Sequence, residues 1–130
     1  MPFDYVVYKE HRLVISTASG VVSWDEIKAR QDQTKTDPDF DPAFDQIVDL
    51  RSATRVELTG DQIRFLAGRR IFSSRSRRAF VAPNPGIFGV GRMWETYDEF
   101  SNNPTEVRVF RDLHSASRWL GLENIPSGAK

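Results

Sequence analysis

The stretch IVDLRSATRVELTGDQI, residues 47–63, contains the change from strand to helix on which the fold class depends. The run QIVDL, residues 46–50, is short and apolar, which predicts a central strand. Further on, Thr59 precedes Gly60 and stands three residues before Gln62. A hydroxyl residue followed three positions later by Gln forms a capping box, so we expect Thr59 to begin a helix.

The segments before this stretch predict a β-hairpin and a first helix. Residues 5–8 and 13–17 are rich in β-branched and aromatic side chains and flank a polar turn, and Gly20 is expected to end the second strand. Ser23 is followed three residues later by a Glu, which predicts a second capping box. We expect this helix to end at about Lys35, before a Pro.

The segments after the stretch repeat the alternation of strand and helix. They predict a strand at 77–83, a helix that begins at Asn84, a strand at 107–111 and a helix from Asp112 to Gly121. The order of elements is therefore β-β-α-β-α-β-α-β-α. This order predicts an α/β fold with one mixed, mostly parallel sheet and helices packed against it.

Length and composition predict one small domain. We expect it to occupy residues 1–122, followed by a flexible C-terminal tail at 123–130. The chain has no Cys, which excludes disulfides, thiol chemistry and Cys-ligated zinc. Because no signal peptide opens the sequence and no apolar run is long enough to span a membrane, we expect a soluble cytoplasmic protein.

Charge is unevenly distributed along a chain whose net charge is zero. Residues 1–50 carry five basic and ten acidic side chains, and residues 51–130 carry thirteen basic and eight acidic ones. Such a chain could pair with a second copy of itself, so a homodimer is one prediction. The alternative is that the two halves fold together and offset one another.

The sequence holds no recognisable catalytic or cofactor-binding motif. His11 and His114 have no neighbours at metal-ligand spacing, and the glycine-rich GIFGVG, residues 86–91, lacks the Lys-Ser/Thr of a phosphate loop. In DPDFDPAFD, residues 37–45, carboxylates alternate as in a calcium loop, but Pro42 stands where that loop needs Gly. We therefore predict no enzyme activity, no cofactor and no metal site.

The basic segment RRIFSSRSRR, residues 69–78, is the best candidate for nucleic-acid binding. Its five Arg suit phosphate contacts, and Phe72 could stack on a base. Because the whole domain is neutral and the last two Arg begin a strand, a solvated connection between helix and strand is favoured. We predict that nucleic acid is not a partner.

The order of elements and two local stretches resemble the STAS superfamily, which has the SpoIIAA-like fold and includes the bacterial anti-sigma factor antagonists. One stretch is residues 47–63, and the other, EVRVFRDLHSASRWLGL at 106–122, resembles the end of a SpoIIAA-like group of small, mostly uncharacterised bacterial proteins. In the antagonists, the hydroxyl residue before the helix-opening Gly is phosphorylated. That position corresponds to Thr59, although Glu57 and Leu58 depart from the antagonists' motif.

This resemblance implies a non-catalytic regulatory domain that binds a protein partner, either an anti-sigma or kinase-like protein or another. The surface it implies combines the helix start with nearby charges: Arg55, Glu57, Thr59, Gly60 and Arg64. Two roles for Thr59 stay open, because a helix cap and a phosphate acceptor both suit the positive end of a helix. If phosphorylated, Thr59 would release or recruit the partner.

An alternative function is the binding of a small apolar ligand or lipid, because the SpoIIAA-like group is also similar in fold to domains that hold apolar ligands. The candidate pocket residues lie on one predicted helix: Phe88, Met93, Trp94, Tyr97 and Phe100. An aromatic stripe of this kind is more often part of a core. A large apolar pocket would favour the ligand function, and a filled core would oppose it.

Overall fold

A computed structural model describes residues 2–126 of the protein. In that range the chain forms five strands and four α-helices, and a short 3-10 helix at Lys9–His11 connects the first two strands. Their bounds are β1 Phe3–Tyr8, β2 Leu13–Ser23, α1 Trp24–Lys35, β3 Asp45–Glu57, α2 Gly60–Ala67, β4 Arg77–Val81, α3 Pro85–Glu99, β5 Glu106–Phe110 and α4 Leu113–Leu120. The order matches the predicted one, and half of the predicted flexible tail, residues 127–130, lies outside the described residues.

The five strands form one sheet in the order β1-β2-β3-β4-β5. Strands β1 and β2 are antiparallel, and each later neighbour is parallel. The mixed, mostly parallel sheet is therefore confirmed. Parallel neighbours require crossover connections, which the intervening helices α1, α2 and α3 supply.

Helices cover both faces of the sheet, so the core has two layers. Apolar residues of α1, α2 and α3 pack with one face, where Leu50 and Phe80 are buried. Helix α4 packs with the other face through Ala116 and Leu120. Because side chains alternate along a strand, Ile47 and Val81 contribute to the α4 side while their neighbours face the opposite helices.

Two strands are longer than the sequence predicted. Strand β2 continues past Gly20, which has a φ of +62° and lies at irregularities in the pairing with β3. Strand β3 continues to Glu57, because its polar second half pairs in parallel with the end of β2. Backbone hydrogen bonds between β2 and β3 stabilise these longer strands. The polar side chains in this part of β3 do not show the hydrophobic pattern that predicts a strand.

The acidic loop after α1 folds onto the domain through its aromatic residues. Phe44 is buried beside Val14 and Phe72, and Phe40 packs partly buried against the same cluster. The carboxylate of Asp37 accepts a hydrogen bond from Tyr5 Oη at 2.9 Å. Within residues 2–126, no group of three or more His, Asp or Glu side chains is arranged to hold a metal ion.

Candidate functional site

Thr59 caps helix α2, as the sequence predicted. Its Oγ1 accepts a hydrogen bond from the backbone N–H of Gln62 at 3.1 Å. The Gln62 side chain in turn accepts from the backbone N–H of Thr59 at 2.9 Å. These reciprocal bonds satisfy two donors that a helix N-terminus otherwise leaves unpaired, and the threonine stays exposed to solvent.

The predicted charged residues around Thr59 form two exposed ion pairs. Arg55 Nη2 lies 2.6 Å from Glu57 Oε2, and Arg64 Nη2 lies 3.2 Å from Asp61 Oδ1. Both arginines therefore already contact the carboxylates that flank Thr59. Exposed pairs of this kind contribute only about 0–1 kcal/mol, so a new anion could exchange for either carboxylate at little cost.

Helix α3 lies beside the start of α2, which brings the two predicted sets of residues together. A Cβ built on Gly60 would lie 3.7 Å from Tyr97 Oη and 3.8 Å from Met93 Cε. Met93 is partly exposed, and so is Phe65 on α2, whose ring packs on Trp24 at 5.4 Å between centroids. We call the exposed surface formed by Arg55, Glu57, Thr59, Gly60, Arg64, Phe65 and Met93 the α2 surface.

The five aromatic and Met residues predicted to line a ligand pocket do not share one cavity. Trp94 is buried and packs on Phe80, whereas Phe100 is 80% exposed. Phe88 is half-buried under the guanidinium of Arg111, 4.3 Å from its ring. Tyr97 and Phe100 instead line a shallow surface cleft of about 320 Å³ near the C-terminal ends of α2 and α3.

An interior cavity of about 50 Å³ lies between the sheet and helices α1 and α3. Its walls are mostly apolar and include Leu50, Phe80 and Trp94. One part of the lining is polar, where Ser16, Gln46 and Arg78 come from three neighbouring strands. Gln46 Nε2 donates to Ser16 Oγ at 3.0 Å, and Arg78 Nε donates to Gln46 Oε1 at 2.9 Å.

Sequence reasoning missed this polar row, although the period-two pattern contained a signal. Ser16 is two residues from Val14 and Ala18, Gln46 is two from Val48, and Arg78 is two from Phe80. Each polar residue therefore had to share a strand face with buried apolar residues. The neutral charge of the whole domain favoured a solvated connection for the basic segment that ends at Arg78, whereas the structure buries Arg78.

Three of the five arginines in the basic segment are held within the protein. Arg69 forms an ion pair with Asp32 of α1, and Arg77 Nη2 lies 3.7 Å from Asp45 Oδ2. Arg78 is buried. Phe72, considered for base stacking, is also buried.

The ion pairs of Arg69 and Arg77 join the acidic half of the chain to the basic half, so part of the charge asymmetry is offset internally. Self-association stays a prediction.

No helix in the described part of the chain is long and apolar enough to cross a membrane. No family model matches the sequence, and no curated protein sequence matches it.

Two solved structures are similar to the protein in fold. An uncharacterized protein of the DUF3478 family with a SpoIIAA-like fold, from Shewanella loihica PV-4, aligns with a TM-score of 0.58 and 14% identity over 91% of each chain. The anti-sigma factor antagonist SpoIIAA, in its unphosphorylated form, aligns with a TM-score of 0.52 and 12% identity over 92% of this chain and 99% of its own. The protein therefore has the SpoIIAA-like fold, which confirms the predicted resemblance at the level of structure.

Proposed function

We propose that this SpoIIAA-like domain is a non-catalytic regulator that binds a protein partner through the α2 surface. Its fold is shared with an anti-sigma factor antagonist, and the resemblance to the antagonists implies a protein partner. The proposed partner is accordingly an anti-sigma-like or kinase-like protein. The protein is accordingly proposed to act in the cytoplasm together with such a partner.

The observation that carries this proposal is the mixture of apolar and charged groups exposed along α2 and the adjacent part of α3. Phe65 is 52% exposed on α2, and Met93 is 39% exposed beside Gly60 at the capped start of that helix. Met adapts its shape to different partners, and aromatic side chains dominate the energetics of protein interfaces. The two exposed ion pairs that flank Thr59 suit the polar rim of an interface.

We further propose that phosphorylation of Thr59 regulates this contact. Thr59 is exposed and lies at the positive end of α2, which favours an added anion. A phosphate carries about −1.5 to −2 charges at neutral pH, and it would compete with Glu57 and Asp61 for Arg55 and Arg64. Such an exchange would rearrange both ion pairs and change the charge that the partner meets.

Affinity capture followed by rebinding tests the proposed surface. Proteins captured from the source cell by the wild type are identified, purified and tested against Met93→Glu. We expect this variant to weaken binding by about ten-fold or more, because it introduces a charge into the apolar part of the interface. His114→Glu on α4 is the control, since it adds the same charge on the opposite side of the sheet. Equal binding by all three proteins would contradict the proposal.

The phosphorylation step needs a separate measurement. After incubation with kinases of the source cell, phosphate should be found on Thr59, and Thr59→Glu should change the affinity for the partner identified above. The exposed Thr96 on α3 provides the matched control in Thr96→Glu. Absence of label on Thr59, together with unchanged binding by Thr59→Glu, removes the switch while leaving the binding surface intact.

The apolar-ligand alternative has less support from the geometry. Its five candidate residues are divided among the core, the exterior and a shallow cleft. The interior cavity of about 50 Å³ is far below the ~300–1,000 Å³ of sites for drug-sized molecules. A lipid or a large apolar ligand would need the helices to separate from the sheet.

A further inference from the structure

Arg78 is a buried cation whose hydrogen-bonding capacity is mostly unused. It lies on β4 and is only 6% exposed. Its Nε donates to Gln46, and its guanidinium stacks on Phe72 at 4.6 Å from the ring centroid. Within residues 2–126, the terminal nitrogens Nη1 and Nη2 donate to no other protein atom.

No carboxylate in the described part of the chain lies within 4.0 Å of Arg78, so its charge has no direct ion pair. Asp98 acts on it through space, but that carboxylate accepts its hydrogen bonds from the backbone and side chain of Thr105. Burial lowers the pKa of Arg78 to about 10, and the charge of Asp98 opposes this effect. Arg78 is therefore still charged at neutral pH, and leaving a buried charge unpaired is costly.

The chemical surroundings of Arg78 are those of a small amphipathic anion site. The residue lines the interior cavity together with a second cation, Arg30, and with the apolar side chains of Phe80 and Val48. Trp94, on the same cavity wall, has an indole N–H that is buried and has no acceptor among the described residues. A positive end and an apolar wall favour a ligand with one anionic group and a short hydrocarbon body.

We propose that this cavity binds a short-chain monocarboxylate of the size of acetate or propionate. Its carboxylate would accept two parallel hydrogen bonds from Nη1 and Nη2 of Arg78, the bidentate geometry that guanidinium groups favour. Its alkyl group would lie against the apolar wall. The volume of about 50 Å³ is one third of the ~150 Å³ that holds benzene, so the site favours acids no larger than propionate. This site is independent of the α2 surface.

Titration with propionate, followed by NMR, tests the site on the folded protein. The indole N–H of Trp94 serves as the reporter, and sodium chloride keeps the ionic strength constant. We expect a saturable shift with a Kd of about 1 mM or weaker, as the small size of the ligand implies. Propionamide has the same shape without the charge, and phenylacetate has the charge with a larger body. Neither should produce the shift.

Two variants identify Arg78 as the ligand group. Arg78→Met should abolish the propionate shift, whereas Arg75→Met, on the exposed loop before β4, should leave it unchanged. Gln46→Glu provides a second check, because glutamate has nearly the same shape as glutamine and would place a carboxylate next to Arg78. It should raise the thermal midpoint and weaken propionate binding by about ten-fold or more.

Three outcomes overturn the proposal. One is the absence of a saturable shift up to about 50 mM propionate, which would leave the cavity to water. The second is an equal response to propionamide, which would show that the charge is irrelevant. The third is unchanged binding by Gln46→Glu, which remains decisive even if Arg78→Met does not fold.

Discussion

At the scale of single residues, one atom of Thr59 serves both the helix cap and the proposed regulation. Its Oγ1 is the acceptor for Gln62 N–H, and it is also the atom that phosphorylation would modify. A phosphate oxygen can accept the same hydrogen bond at the positive end of the helix, so modification need not remove the cap. The structural role and the proposed regulatory role are therefore compatible.

Thr59→Ala should lower the free energy of unfolding by about 1 kcal/mol, because the N–H of Gln62 loses its acceptor. Thr59→Ser keeps the hydroxyl and should cost much less. Urea denaturation monitored by circular dichroism gives both values. If serine destabilises the protein as much as alanine does, the methyl group rather than the cap is the stabilising feature.

At the scale of elements, two of the three glycines of α3 differ in what lies next to them. A Cβ on Gly91 would lie 2.7 Å from Cγ2 of Val109, so β5 approaches the helix backbone where a side chain would stand. A Cβ on Gly89 would meet nothing within 4 Å. Both glycines are unfavourable in the interior of a helix, and only the neighbouring strand β5 distinguishes them.

Gly91→Ala and Gly89→Ala should therefore have opposite effects on stability. The first should cost about 1–3 kcal/mol through overpacking against Val109. The second should stabilise the protein by up to about 1 kcal/mol, because alanine is the better helix former and the position is exposed. Thermal and urea denaturation of the two variants in parallel tests this. Destabilisation by both would mean that α3 needs its glycines for another reason.

At the scale of the whole molecule, ion pairs connect the acidic and basic halves of the chain. Asp32 of α1 accepts hydrogen bonds from Arg69 and Lys28. These two bonds, that of Arg69 first, lower the pKa of Asp32 below its usual value. A carboxylate with a lower pKa in the folded state stabilises the fold above its unfolded pKa, and this stability is lost as the pH falls through the folded pKa.

Asp32→Asn should reduce the thermal midpoint at pH 7, and the difference from wild type should shrink as the pH falls to about 2.5. Asparagine removes the negative charge that Arg69 and Lys28 contact. At low pH, protonation of Asp32 removes the same charge from the wild type. Asp39→Asn is the control, because Asp39 forms no ion pair within residues 2–126. A difference that is equal at both pH values would show that packing, and not charge, explains the effect of the substitution.

Much of the fold could be predicted from local signals. The capping boxes at Ser23 and Thr59, and the cap at Asn84, placed three helix starts where the structure has them. The ends of β2 and β3 were predicted too early, because strand pairing depends on a distant partner. For the proposed partner site, the sequence indicated Thr59 and its charged neighbours but not the contribution of Phe65.

The sequence by itself determined the order of elements, the helix caps and the α/β class, because capping and side-chain periodicity act between residues a few positions apart. Only the tertiary structure decided that α3 meets the start of α2 at Gly60, and that Ser16, Gln46 and Arg78 form one buried polar row. These contacts join residues far apart in the chain, and they depend on strand register and helix packing. The cost of a buried charge arises only when the core closes around it, so Arg78 acquires its binding capacity from the fold.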